Sequence, residues 1–268
     1  MITRVLINGE ESDGTVSVTD SSVLRGDGCF EVLKARSGSA FDLDLHLDRL
    51  ARSAGLLGIT LPAREDLRKW ITSIADEGGD CAIRVVVTRG PSVPGEPGGP
   101  LVIVFGHPSA PAEGPARLLP VVAPWHAAGV PWDLAGAKTL SYAPNVSATR
   151  RAVAEGFEDA LLLSVDDVML EGPTFSVAWV IGGVIETPGL GLGILDSITR
   201  RVMLDLAAEL DIQVKEGEWT LDRLDLADEA MALSTIRDIQ PVSAVGHRAF
   251  REGPVTSNLS RLFVQRIR

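Results

Sequence analysis

What most limits the fold of this chain is how its apolar residues are distributed. They come in short runs rich in Val, Ile and Leu, each cut by Gly, Pro or charge well before the ~18 consecutive apolar residues of a membrane span. Hydrophobic residues make up 45% of the chain, so a core is affordable, but it has to be assembled from many short elements. Runs with period two alternate with stretches of helical period, and the strands often follow one another across tight turns. That pattern predicts an α+β fold with much antiparallel pairing.

Strands are expected over 3–8, 15–19 and 29–36. Leu43, Leu47, Leu50, Ala54 and Leu57 then recur at helical spacing, and 64–77 is a second amphipathic stretch ended by Gly78-Gly79. Strand-like runs at 81–88 and 101–106 flank 89–100, whose Gly and Pro density marks a long exposed loop. At 268 residues two cores are expected. The Pro, Ala and Gly of 107–116 make the best linker, dividing a small N-terminal domain, 1–110, from a larger C-terminal one, 117–268. The second domain reads as strand 117–123, helix 144–155, strand 159–164, a hairpin about Gly182-Gly183, helix 198–210, strand 213–219, short helix 221–226 and strand 229–234.

A formal net charge of -11 repels a phosphate backbone, so nucleic-acid binding is not expected. The N-terminus lacks the charged-then-apolar layout of a signal peptide, and no membrane span is present in the sequence, which predicts a cytoplasmic protein. Cys29 and Cys81 both fall inside apolar runs and read as buried thiols. His46, His107, His126 and His247 lack metal-ligand spacing, so no metal site is expected.

Several segments carry groups suited to chemistry, and each has a plain structural reading beside it. Lysine occurs only at positions 34, 69, 138 and 215, and Lys138 stands among small and apolar neighbours in Leu-Ala-Gly-Ala-Lys-Thr-Leu-Ser-Tyr. A desolvated amine is a better nucleophile toward a carbonyl; a solvated loop lysine is the alternative. Glu171 closes the apolar run 168–170 ahead of a further strand from Thr174. It is either an acid that keeps a heterocyclic nitrogen protonated or a hairpin-tip carboxylate in water. Ser197 is a good N-cap, and the N–H groups of Ile198 and Thr199 behind it suit an anion or simply start a helix. Ser234 and Thr235, at a strand end, offer similar donors. Arg49, on the first long helix, is a fork for phosphate or a surface partner of Asp48 or Glu31. Arg25, Arg89 and Arg237 are candidates for a substrate carboxylate, and Phe30, Tyr142, Trp125 and Trp132 for pocket walls.

In order along the chain, these pieces resemble the class IV aminotransferases, the fold-type IV pyridoxal-phosphate enzymes. The matching stretches are 25–31, 46–50 with Ser53-Ala54, Lys138-Thr139-Leu140, Leu170-Glu171-Gly172, 193–195 with 198–200, 227–229, Ser234-Thr235 and Pro241-Val242. The resemblance implies a small α/β N-terminal domain and a larger C-terminal pseudo-barrel domain with the cofactor between them, in a homodimer. It implies pyridoxal 5'-phosphate as a Schiff base on Lys138, which also shuttles the Cα proton. Glu171 would pair with the ring nitrogen, and Arg49, Ile198, Thr199, Ser234 and Thr235 would grip the phosphate. The reaction implied is transfer of an amino group between an amino acid or amine and a 2-oxo acid. The alternatives within the resemblance are aminodeoxychorismate lyase, which eliminates pyruvate, and a pyridoxal-phosphate scaffold without activity.

Three departures bear on substrate. The Arg-x-His carboxylate trap of the D-amino-acid enzymes is missing from the loop after Thr88-Arg89-Gly90. Ala143 stands where branched-chain enzymes have a tyrosine, with Tyr142 one position earlier, and Ser176 replaces their usual asparagine.

Overall fold

The computed structural model describes residues 4–95, 97–109 and 112–267. They form two compact units: the chain up to 109 together with Ala137–Tyr142, and 112–136 together with 143–267. The expected linker includes residues 110 and 111, which lie outside the described residues, as does Thr3 of the first expected strand. The segment carrying Lys138, expected in the second domain, packs with the first unit.

The first unit is built on a six-stranded sheet of order β2-β1-β6-β5-β3-β4, antiparallel throughout. Its strands are β1 (Val5–Ile7), β2 (Glu10–Glu11), β3 (Gly28–Arg36), β4 (Ser39–Ala40), β5 (Cys81–Thr88) and β6 (Leu101–His107). A short helix α1 (Ser21–Arg25) precedes β3, and α2 (Leu43–Leu56) and α3 (Arg64–Gly78) cover one face. The period-two alternation of β3 and β5 sends Cys29, Leu33, Ala35, Ile83, Val85 and Val87 into a core with Leu47, Leu50, Leu67 and Ile71 of the helices.

The expected strand at 15–19 is not formed. Asp13 accepts hydrogen bonds from the Thr15 N–H and hydroxyl, and Gly14 takes a positive φ of 84°, so local side-chain bonds compete with ladder pairing. The segment 137–140 takes an edge position beside the start of β3. Phe30 N–H donates to the Lys138 carbonyl at 3.0 Å, Leu140 N–H donates to the Gly28 carbonyl at 2.8 Å, and Cys29 bridges Thr139. An open strand edge thereby finds partners.

The second unit holds an eight-stranded mixed sheet of order β11-β10-β9-β12-β13-β7-β8, with β14 on β13. Its strands are β7 (Ala116–Val122), β8 (Asp159–Leu163), β9 (Ser176–Ile181), β10 (Val184–Pro188), β11 (Val214–Gly217), β12 (Glu229–Ser234), β13 (Asp238–Val245) and β14 (Arg248–Ala249). Three pairs, β7–β8, β7–β13 and β10–β11, are parallel. Helices α4 (Ala143–Ala154), α5 (Ile198–Glu209) and α6 (Pro254–Arg266) complete it. β8 is buried at every position because both faces are covered: Leu161 and Leu163 pack with Trp179 and Phe175, whereas Ala160 and Leu162 pack with Ala148 and Ala152 of α4.

Here too some expectations are corrected. The run 168–170 makes only isolated bridges, Leu163 with Met169 and Val168 with Thr220, and the next strand begins at Ser176 rather than Thr174. Neither β13 nor α6 was anticipated. Among the described residues no helix is long and apolar enough to cross a membrane.

Candidate active site

In the first unit, β3 delivers two kinds of chemistry on its two faces. Phe30 points to one. The Lys138 Nζ lies 4.4 Å from the centre of its ring and 5.8 Å from that of Tyr142, and the two rings meet edge to face at 5.3 Å. Lys138 is half-buried, and both its backbone groups are tied: its N–H donates to Ser53 Oγ at 3.1 Å and its carbonyl accepts from Phe30. Gly28 is required at the start of this strand, since a Cβ there would stand 2.3 Å from the Val87 carbonyl oxygen and 2.7 Å from Leu140 Cδ1. Arg84, opposite Val32 and on the same face as Phe30, brings its guanidinium to 5.9 Å from the Phe30 ring. The sequence offered no reason to pick Arg84, because only the strand register places it there.

Glu31 points to the other face, into the helix-covered core. Its carboxylate accepts from Arg49 Nε at 2.6 Å and Nη2 at 2.7 Å, and stands 2.8 Å from His46 Nδ1. All three side chains are buried. Burial by itself would raise the Glu31 carboxyl, but the charge and hydrogen bonds of Arg49, with help from His46, hold it well below the usual carboxylate range. Burial pushes His46 down, so its imidazole is neutral at neutral pH and the Nδ1 proton is donated to Glu31. Arg49 thus pairs with Glu31, one of the partners its plain structural reading offered, but inside the core and not at the surface. Ser53, one turn farther along α2, holds the Lys138 main chain.

In the second unit, Glu171 is held at one oxygen and faces a histidine at the other. Leu195 N–H donates to Oε2 at 3.2 Å, and His126 Nε2 stands 3.5 Å from Oε1. The His126 Nδ1 accepts from Ala128 N–H at 3.2 Å, which puts the ring proton on Nε2, toward Glu171. Ala128 sits at a positive φ of 48° to make that bond. Gly172 follows because the Phe175 ring presses on it: a Cβ would meet the ring at 2.1 Å. His126 has no metal-ligand spacing in the sequence, and no local signal links it to Glu171.

Ser197 caps α5, its hydroxyl accepting from Arg200 N–H at 3.3 Å, while Arg201 N–H reaches the Ser197 carbonyl. Ile198 and Thr199, both buried, thus present N–H groups that have no acceptor within the helix. Buried donors of this kind at a helix start fit an anionic group. Ser234 ends β12, and its hydroxyl accepts from Arg237 N–H across the turn that holds Thr235. Near Ile194 a groove of about 400 Å³ opens, lined also by Trp132, Asp133, Leu190 and Gly193.

The carboxylate candidates fare differently. Arg89 bonds both oxygens of Asp27 and the carbonyls of Leu57 and Gly58, and its hydrogen bond to Asp27 holds that carboxyl below its usual value. Arg237 donates to Asp159 and Gln240 and stacks 4.8 Å over the Phe175 ring. Arg25 is exposed at the end of α1. Trp125, half-exposed, donates to Asn145 Oδ1.

A six-stranded antiparallel sheet followed by an eight-stranded mixed one, with lysine, carboxylate and helix-start donors in this order, defines an enzyme of the fold-type IV pyridoxal-phosphate class. The residue set suits that cofactor: a lysine held by its main chain, an acid fixed by a main-chain N–H beside a histidine, and buried N–H groups for a phosphate. The chain belongs to the class IV aminotransferase family, whose model, amino-transferase class IV, matches residues 28–245. It is similar to a putative branched-chain-amino-acid aminotransferase of Methanocaldococcus jannaschii, 32% identical over 97% of this chain and 95% of the relative. It is also similar to a D-alanine aminotransferase of Listeria monocytogenes (29%, 98% and 96%) and an aminodeoxychorismate lyase of Bacillus subtilis (27%, 98% and 94%). Among solved structures, a fold IV transaminase of Curtobacterium pusillum superposes with a TM-score of 0.87 at 29% identity, covering 97% of this chain and 99% of that one. Class IV aminotransferases use pyridoxal phosphate, and transaminase chemistry on an amino donor and a 2-oxo acid is supported by the family and its named aminotransferase relatives, with a lyase also among the relatives.

Proposed function

We propose that this chain is a transaminase in which Lys138 is the cofactor lysine and the proton carrier. The observation that carries the reading is that a long, flexible lysine is held by both its backbone groups and covered by two aromatic rings. A solvated loop lysine has no need of that. Bound pyridoxal phosphate supplies an aldehyde for amino groups and a protonated ring that draws electrons from the carbon they carry. Lys138 Nζ would take the proton from the Cα of the amino donor and pass it to the cofactor carbon that receives the amino group, and would run the same transfer in reverse when the 2-oxo acid is aminated. Glu171, held by the Leu195 N–H and facing His126, would keep the proton on the ring nitrogen. The N–H groups of Ile198 and Thr199, together with Arg49, Ser234 and Thr235, hold the phosphate. Phe30 and Tyr142 keep water from the amine. Arg84, which shares the Phe30 ring with Lys138, is the cation best placed for a substrate carboxylate, ahead of Arg89 and Arg237, whose charges are already met.

We also read the chain as a cytoplasmic homodimer. The free thiols of Cys29 and Cys81 suit a reducing compartment, and exposed Val122, Trp125, Val130 and Trp132 suit burial against a second copy.

The test is direct. The purified protein should show a visible cofactor band that borohydride abolishes, and Lys138→Ala should lose the band and at least about a thousandfold in amino exchange. Exchange undiminished in Lys138→Ala would defeat the reading. Release of pyruvate from aminodeoxychorismate, without exchange between amino donors and 2-oxo acids, would move the chain to lyase chemistry.

A further inference from the structure

The core-facing side of β3 runs Cys29, Glu31, Leu33, Ala35, and its register with β5 sets Val87, Val85, Ile83 and Cys81 beside them. Every one of these is apolar except Glu31, and the surrounding cluster includes Leu47, Leu50 and Ala54 of α2. An ion pair is a poor way to stabilise such a place, since apolar replacements of a buried pair are often neutral or stabilising. His46 adds a second cost. With Nδ1 donating to Glu31, its buried Nε2 is an acceptor without a hydrogen-bond partner.

What the cluster achieves is geometric. Glu31 meets Arg49 at two nitrogens, which fixes the plane of the guanidinium, and His46, one turn earlier on α2, fixes the carboxylate that does so. Because Glu31 already compensates the Arg49 charge, what Arg49 offers an anion is directed N–H groups more than a net positive field. Direction is what the relay from His46 through Glu31 supplies. The same helix ties the Lys138 main chain through Ser53, so a guanidinium locked to α2 is also placed in register with the main chain that carries the amine.

We propose that Glu31 and His46 are positioning residues that orient the Arg49 guanidinium to grip the phosphate of pyridoxal phosphate. The inference rests on the reading of Arg49 as a phosphate ligand, and the experiment separates the two. Full-chain enzyme converted to its pyridoxamine form is dialysed to equilibrium against pyridoxamine phosphate and, separately, against pyridoxamine. The ratio of the two dissociation constants reports the phosphate contribution alone, which a merely structural defect would leave unmoved.

Arg49→Gln should collapse the ratio by about a hundredfold, and Glu31→Gln and His46→Leu should lower it by about tenfold. His46→Asn, which keeps a donor near the Nδ1 position, should stay within about twofold of the parent. A ratio unchanged in Arg49→Gln would sink the phosphate reading and the proposal with it. A collapse in Arg49→Gln with a parental ratio in His46→Leu would leave the reading standing and overturn the positioning role. Equal loss of both affinities in His46→Leu would overturn it as well. If Glu31→Gln does not fold, the contrast between His46→Leu and His46→Asn decides alone.

Discussion

The two units hold their candidate groups by different means. In the first, side chains do the holding: Glu31 fixes Arg49, His46 fixes Glu31, Ser53 fixes Lys138, and Phe30 with Tyr142 covers the amine. In the second, the main chain does most of it: Leu195 N–H grips Glu171, and the start of α5 offers the N–H groups of Ile198 and Thr199. Side-chain scaffolds are specific but fragile, because one substitution leaves a buried partner stranded. Main-chain donors belong to every residue except proline, so they survive most substitutions.

That contrast can be broken by experiment, starting where the effect should be largest. Arg49→Leu leaves the Glu31 carboxylate buried without its cation, with only the neutral His46 donor beside it, and should destabilise the protein by about 3–5 kcal/mol in urea unfolding. A loss below about 1 kcal/mol would mean that Arg49 does not compensate a buried charge at this position.

Acidification should expose the same fragility. His46 and Glu31 both bind a proton less readily in the folded chain than their ordinary values of 6.5 and 4.5. The unfolded chain therefore takes up more protons below those values, so stability rises with pH through them and is lost as pH falls. Decline should begin below pH 6.5 and steepen below 4.5, and His46→Asn should erase the first limb. A parental limb in that variant would assign it elsewhere.

In the second unit the informative change is Ile198→Pro. Proline is tolerated at the first helical position, and Ser197 before it already has φ -72° and ψ 129°, so the helix should persist while one N–H is removed. Affinity for pyridoxal phosphate should fall by about tenfold, whereas Ile198→Val should leave it near the parent. Equal affinities would remove this N–H from the phosphate grip. Smallest of all, Ser197→Ala should cost about 1 kcal/mol of stability by uncapping α5, read as a shift of the thermal midpoint by a few degrees.

Much of the scaffold was legible because it is written in local patterns. Period-two runs marked β3, β5 and β6, helical spacing marked α2 and α3, and Ser197 announced α5. Helix α6 carries its own start signal in Gly253-Pro254, and Glu229 caps it by accepting from Val255 and Thr256 N–H. The expected strand at 15–19 misled because Ser, Thr and Asp bond their own backbone there, a competition that a β-propensity pattern does not register.

The amino-acid sequence by itself determined which groups are present and in what order: a solitary lysine amid small residues, an acid before a glycine, a capped helix start, and a hydrophobic economy that allows only short elements. Tertiary structure alone decided what surrounds them. That Lys138 joins the first unit and lies over Phe30, that Arg49 is compensated by Glu31 and His46 inside a core, and that His126 backs Glu171 all depend on contacts between residues far apart in the chain. Side-chain alternation fixes which face a residue takes, but long-range packing chooses its partner, and it is the partner that sets charge, orientation and exposure.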